Sequence, residues 1–240
     1  MGTLIRLTVY SKREPSEAMV AARKRFEELD ARLSDYKPDS EINQLKTGVT
    51  TRVSPDLFAV LTFSKRLSLV SGGAFDVTIG ARTRGRSGNA GYQHMALGNQ
   101  TVTLLQEQMQ LDLGGIAKGY ANDQASRVLS ERGFSRHLIA ASGDVLVNES
   151  PPGEAGWVVS YQEKAHVMRR QAVSTSGNTF QPNHILDPRT MTAVTVEGTV
   201  SVVARNSMSA DALATACLIL NLEERGQLLS HYAGAKLVSA

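Results

Sequence analysis

Two oxygen-bearing side chains four residues apart offer the first chemistry. Asp211 and Thr215, in Ala210-Asp-Ala-Leu-Ala-Thr-Ala216, share one face if that stretch is helical. Both present oxygen, the donor that hard Mg²⁺ prefers. An acid near a helix start, with a hydroxyl bonded back to its own helix, explains the same pair without a metal, and both readings stand at this point. Asp112-Leu-Gly114-Gly115-Ile-Ala-Lys118-Gly119 joins a strand-like run to a helix-like one. Its glycines let backbone approach a ligand closely, and the helix start offers free N–H groups to an anion. Lys118 adds a fixed positive charge. His184 opens His184-Ile-Leu-Asp-Pro-Arg-Thr190; an imidazole with pKa near about 6.5 takes a hydroxyl proton at neutral pH, although a lone histidine is more often structural. Ser142-Gly143-Asp144, Ser174-Thr-Ser176-Gly177 and Ser71-Gly-Gly-Ala-Phe75-Asp76 each also fit ordinary turns. Arg82, Arg84 and Arg86 read as a solvated basic loop, and Cys217, at helical spacing from Leu213 and Leu220, reads as core.

Composition narrows the classes. In 240 residues, 26 Lys and Arg against 23 Asp and Glu leave a charge of +3, too small to demand nucleic acid, and 5% aromatics leave few platforms for stacked bases. A hydrophobic fraction of 42% describes a globular chain long enough to bury a core. One cysteine excludes an intramolecular disulfide and any cysteine-built cluster. No apolar run approaches the roughly 18 residues of a membrane span. The N-terminal stretch has neither a continuous apolar core nor a lipobox cysteine. The expected compartment is therefore the cytoplasm as written, or an extracytoplasmic one if a leader was removed.

The elements that position these residues follow from periodicity. Ile5, Leu7 and Val9 alternate on a strand. Pro15 and Ser16 start a helix carrying Met19, Ala22, Phe26, Leu29 and Leu33. Ser40 is placed to cap a short helix through Leu45. Ser54-Pro55-Asp56 starts another, running to Ser71 and stopping at Gly72-Gly73. Gly80 to Gly91 lacks apolar periodicity and reads as a flexible loop. Strands are expected at Tyr92–Leu97, Thr101–Leu105 and Gln108–Leu111, then a helix from Ile116 to about Arg132. Further strands are expected at 136–141, 144–148, 156–161, 165–174 and 199–204. A helix from Ser207 to about Leu220, a short helical piece and a strand at Lys236–Val238 complete the chain. Runs of strands and helices without strict alternation favour a single α+β domain over 1–240, with a mixed, largely antiparallel sheet packed by helices.

Taken in order, these pieces form a series. Met1-Gly-Thr3, Leu33-Ser-Asp-Tyr36 with Asp39-Ser-Glu41, Gly72-Gly-Ala-Phe-Asp76, Leu111-Asp-Leu-Gly-Gly-Ile-Ala-Lys-Gly119, Ser142-Gly-Asp144, Thr175-Ser-Gly177, His184-Ile-Leu-Asp-Pro-Arg-Thr190 and Ala210-Asp-Ala-Leu-Ala-Thr215 resemble the motifs of the ApbE family of FAD:protein FMN transferases. The resemblance implies a Mg²⁺-dependent enzyme that moves the FMN half of FAD onto a Thr or Ser hydroxyl of an acceptor flavoprotein, with AMP leaving. A hydrolase giving FMN and AMP, or a non-catalytic FAD-binding protein, are the alternatives. It further implies metal ligands at Asp211, Thr215 and the Gly115 carbonyl, and a base at His184. Flavin and adenine contacts are implied at Met1, Tyr36, Ala74, Phe75, Asp76, Asp112, Lys118 and Ile185. The chain departs from the pattern in short stretches at 79–92, 161–171 and 179–184. Met191 and Ser142 also stand where the family commonly has glycine.

Overall fold

Alternating Ile5, Leu7 and Val9 make the first strand, β1 (Ile5–Val9), in the computed structural model, which describes residues 4–177, 185–195 and 198–238. Helix α1 (Ser16–Leu33) buries Ala18, Ala22, Phe26, Leu29 and Leu33 at helical spacing. A 3₁₀ turn at Glu41–Gln44 and strand β2 (Thr51–Arg52) lead to α2 (Pro55–Val70). Ser54 caps α2 by accepting the Leu57 N–H at 3.2 Å, and Pro55 occupies the first turn, where its missing N–H costs nothing. After α3 (Gly80–Thr83) come β3 (Met95–Gly98), β4 (Thr101–Leu104) and α4 (Ala117–Glu131). Next are β5 (His137–Ala141), β6 (Asp144–Val147), β7 (Trp157–Tyr161), β8 (Lys164–Met168) and β9 (Gln171–Gly177). The chain closes with β10 (Leu186–Asp187), β11 (Thr192–Ala193), β12 (Thr199–Ala204), α5 (Ser207–Ile219), α6 (Leu222–Ser230) and β13 (Lys236–Val238).

The principal sheet has the order β1-β5-β6-β9-β12-β13, with every ladder antiparallel. Parallel pairing among the described residues is confined to two isolated bridges, Thr47 with Leu104 and Ile79 with Gln110. One face of the sheet packs on the helices. There Ile139, Val200 and Val202 join Phe26, Leu29, Leu129 and Leu213 in the main core. The other face is covered by the β7–β8 hairpin, where Trp157, Val159 and Met168 pack against Val147, Val173 and Val203. Adjacent valines on β12 serve opposite cores because side chains alternate along a strand. Helix α5 is apolar nearly all round and correspondingly buried, so the acid it carries, Asp211, is carried into the interior.

Four expectations give way. Residues 80–91 are no free loop: α3 forms there, the Gly80 N–H donates to the Gln110 carbonyl at 2.9 Å, and a Cβ at Gly80 would lie 2.6 Å from the Leu111 carbonyl. The strand expected from Tyr92 begins at Met95, since Tyr92–His94 is a 3₁₀ turn. Gln108–Leu111 forms only the bridge to Ile79. The single strand expected over 165–174 is two, broken at the exposed pair Arg169-Arg170, with Arg170 at φ 49°. In addition, Ser40 takes the N-cap position without a side-chain bond.

Candidate active site

The start of α4 packs across the first turns of α5, and glycine permits the close approach. A Cβ at Gly119 would stand 2.3 Å from the Ser207 carbonyl oxygen and 2.8 Å from Asp211 Cβ. Bare backbone there lets the Gly119 N–H donate to Asp211 Oδ2 at 2.9 Å. Asp211 is 2% exposed. One helical turn on, Thr215 Oγ1 lies 3.2 Å from Ser176 Oγ on β9, and a Cβ at Gly115 would meet Thr215 Oγ1 at 2.8 Å. Gly115, Asp211, Thr215 and Ser176 thus converge where the sequence reading put a metal or phosphate.

Lys118 completes the group. Its Nζ donates to the Gly114 carbonyl at 2.9 Å and stands 3.4 Å from Asp211 Oδ1 and 3.6 Å from Asp144 Oδ2. Burial opposes the ammonium charge, but Asp211 and then Asp144 outweigh it and move the lysine above its ordinary pKa. Asp144 begins β6 after the two-residue turn Ser142-Gly143, whose positive φ values of 40° and 87° suit a tight hairpin. Its Oδ1 accepts from the Ser174 hydroxyl, whereas buried Oδ2 has no hydrogen-bond partner. Burial and then the Asp211 charge push Asp144 well above the usual carboxylate range, against the pull of Lys118. Two buried carboxylates share one ammonium.

This arrangement suits a hard cation on two observations: the buried Asp144 Oδ2 without a hydrogen bond, and the bare Gly115 backbone facing the Thr215 hydroxyl. Among the described residues no group of three His, Cys, Asp or Glu gathers in metal-binding geometry, so any cation here draws on hydroxyl and carbonyl oxygens as well.

A second set of residues joins on through Asp112. Its Oδ1 accepts the Gly114 N–H at 2.8 Å, and its own N–H donates to the Val77 carbonyl at 2.8 Å. Asp76 Oδ1 accepts from both the N–H and hydroxyl of Thr78, and Oδ2 from the Tyr92 N–H. Burial raises the Asp76 pKa against those three bonds. Ala74 and Phe75 are buried in the main core, so the Phe75 ring faces protein; Tyr36 is 86% exposed. Ile185 is half-buried against that core, and its carbonyl accepts the Val194 N–H at 2.8 Å. His184 and Met1 lie outside the described residues.

Sequence reasoning named the Asp144 motif without assigning Asp144 to the site; the signal was an acid directly after a two-residue turn. Asp123 was missed altogether. It accepts the Ser207 and Met208 N–H groups at 2.8 and 2.9 Å, fixing the start of α5 against α4. Burial pushes it up to about 6.

Comparison with known proteins gives the family and the fold. The ApbE family profile matches residues 1–238. An FAD:protein FMN transferase of Treponema pallidum is 28% identical over 293 aligned positions, covering 98% of this chain and 80% of the relative. One from Klebsiella pneumoniae is 27% identical over 95% of this chain and 79% of its own length. An alignment of 293 positions exceeds a chain of 240, so the Treponema relative carries segments that this chain lacks. Among solved structures, the flavin transferase ApbE from Vibrio cholerae superposes with a TM-score of 0.87 at 20% identity, covering 99% of this chain and 89% of that one. The ApbE protein of Thermotoga maritima gives 0.84 at 24%, covering 98% and 90%. This chain belongs to the ApbE family.

Proposed function

We propose that this ApbE family member transfers the FMN half of FAD to a Thr or Ser hydroxyl of an acceptor flavoprotein, releasing AMP, and that the reaction depends on Mg²⁺. The observation that carries the proposal is the pair Asp144 and Asp211, buried around one ammonium beside the Thr215 hydroxyl and the bare backbone of Gly115. In this reading Asp211, Thr215 and the Gly115 carbonyl hold the metal. When bound, Mg²⁺ supplies charge neutralisation at the pyrophosphate oxygens.

The remaining work falls to the chain's own groups. Gly114 and Gly115 leave room for phosphate oxygens at the start of α4, and Lys118 places a positive charge beside them. Asp112, tied to Gly114, orders that turn. Tyr36 offers an exposed aromatic face to a ring, whereas Ala74, Phe75 and Asp76 contribute backbone and shape from their buried segment. Ile185 adds apolar contact. The acceptor oxygen forms a bond to the FMN phosphorus as the bond to the bridging oxygen breaks. That oxygen leaves with AMP, and the hydroxyl proton passes to His184. Residues 1–240 act as one domain in this proposal, a reading supported by the bonds that tie residues 80–91 to 107–111.

Incubation with FAD and Mg²⁺, with and without an acceptor flavoprotein, tests the proposal. AMP released only with acceptor, together with flavin that survives denaturation on the acceptor, is the expected result. AMP without acceptor indicates a hydrolase, and intact bound FAD a binding protein; either overturns the transferase reading.

A further inference from the structure

Three segments far apart in sequence meet at one guanidinium. Arg84 donates through Nη1 to Gln110 Oε1 at 2.8 Å and through Nη2 to the Leu111 carbonyl at 3.1 Å. The same Nη2 lies 3.3 Å from Asp35 Oδ2, with the Arg84 side chain 20% and the Asp35 side chain 12% exposed. Arg82 and Arg86, on either side, are exposed. The base from which Arg84 projects is itself fixed. The Arg86 N–H donates to the Ala81 carbonyl at 2.9 Å, a Cβ at Gly88 would lie 2.7 Å from the Gln108 carbonyl oxygen, and Asn89 Nδ2 donates to the Glu107 carbonyl at 3.1 Å.

The groups that Arg84 grips precede, by one residue each, two residues in the proposed FAD site: Asp35 before Tyr36, and Leu111 before Asp112. Asn43 holds the first of these segments from the other side, donating to the Asp35 and Lys37 carbonyls. The Asp35 and Asp112 carboxylates repel each other across the gap. Burial and then the Asp112 charge raise the Asp35 pKa, and Arg84 opposes both. The Asp35 charge, with burial and Asp112 behind it, raises the Tyr36 phenol. A planar fork reaching a carboxylate, an amide and a backbone carbonyl fixes direction as well as charge.

We propose that Arg84 is a positioning residue that draws the Tyr36 and Asp112 segments into one wall of the FAD site. The inference rests on the FAD reading above and goes beyond it, because it gives the short 80–91 segment a role in substrate binding. Arg84 acts through its neighbours: it aligns the exposed ring of Tyr36 with the Asp112 turn that orders Gly114.

FAD titrations followed by flavin fluorescence, with thermal melting of each variant alongside, test it. Arg84→Ala is expected to weaken FAD on the order of tenfold, the equivalent of one charge-assisted hydrogen bond. Arg84→Lys, which keeps the charge and loses the fork, falls between. Asp35→Asn added to Arg84→Ala recovers part of the affinity, since it removes the carboxylate that the guanidinium offset. Arg82→Ala and Arg86→Ala bind FAD like the wild type. Earlier melting of Arg84→Ala with wild-type FAD affinity assigns Arg84 to stability alone and overturns the inference. If Arg84→Ala does not fold, Arg84→Lys decides, and wild-type affinity there overturns it equally. A folded wild-type chain that fails to bind FAD overturns the FAD reading and the inference together, whereas FAD bound equally by wild type and variant removes the inference only.

Discussion

Two buried clusters of acids and bases flank α4, and they are finished differently. On the α1–α2 side, Asp56 accepts from Arg25 and from the Tyr120 hydroxyl (2.8 Å) at Oδ1, and from Arg32 (2.6 Å) at Oδ2. Burial alone would raise its pKa, but the Arg25 and Tyr120 bonds and the two guanidinium charges hold it below the usual range. On the α5 side, Asp144 and Asp211 share the single ammonium of Lys118, one Asp144 oxygen has no hydrogen bond, and Asp144 is driven upward. The first cluster has more partners than it needs and fastens three helices. The second has fewer, and in the proposed function a cation would supply the positive charge it lacks and bring the phosphates with it. The contrast with Asp56 is the reason the proposed function places its chemistry at the second cluster.

The largest expected effect that would break this contrast lies in the satisfied cluster. Asp56→Ala strands Arg25 and Tyr120 and should cost about 2–3 kcal/mol in denaturant unfolding. That is less than for a fully buried pair, because the Arg32 side chain stays 43% exposed. The kcat for AMP release by the folded variant should equal that of the wild type; a lost kcat would make Asp56 part of the site.

The two clusters should also part in their pH dependence. Asp123, behind the site, has its folded pKa raised to about 6, so the native state holds a proton that the unfolded chain has released. Its contribution to stability therefore falls as pH rises from about 4 to about 6. Asp56 is depressed, so its contribution is present above the ordinary carboxylate pKa and lost as pH falls through the lower folded value. Between pH 7 and pH 4 the melting temperature of Asp123→Asn should gain less on acidification than that of the wild type, the raised Asp144 keeping its own share of the gain. An identical slope in the variant would remove Asp123 from the account.

A smaller effect is expected at Met191, which has φ 58° in the turn after Asp187-Pro188-Arg189-Thr190. Arg189 there pairs with Asp187 at 2.9 Å and with Glu224 at 3.3 Å, holding β10–β11 against α6. Met191→Gly relieves a left-handed conformation and should stabilise by about 1 kcal/mol. A loss of stability would mean that the methionine side chain contributes more than its backbone costs.

How much of this was legible in the sequence depends on the range of the signal. The Ser54-Pro55 cap, the α1 stripe and the stop at Gly72-Gly73 are local signals, and the structure matches them. Met191 and Ser142 were noted as departures from glycine, and their positive φ values supply the reason that glycine suits both places. The break at Arg169-Arg170 carried no glycine, proline or asparagine to announce it. Asp56 reads as a first-turn acid because its partners lie 31, 24 and 64 residues away. Arg84 looks like its neighbours Arg82 and Arg86, and only the fold separates them. The convergence of Asp211, Thr215 and Gly115 was foreseen through the motif series, whereas the Lys118 link to Asp144 depends on β6 lying beside β9, which no local pattern encodes.

The central claim, that the under-satisfied cluster is a cation and phosphate site, meets its most direct test in Asp211→Asn. The change keeps size and leaves an oxygen to accept the Gly119 N–H, but it removes the charge that holds a hard cation. Activity is titrated with Mg²⁺ and thermal melting recorded in chelator. The account predicts that Mg²⁺-dependent AMP release disappears while melting in chelator stays at or slightly above the wild-type temperature, because one of two repelling carboxylates is gone. A variant that melts markedly earlier and keeps the wild-type Mg²⁺ response would contradict it, and would make the Asp144–Lys118–Asp211 group a structural brace like that at Asp56.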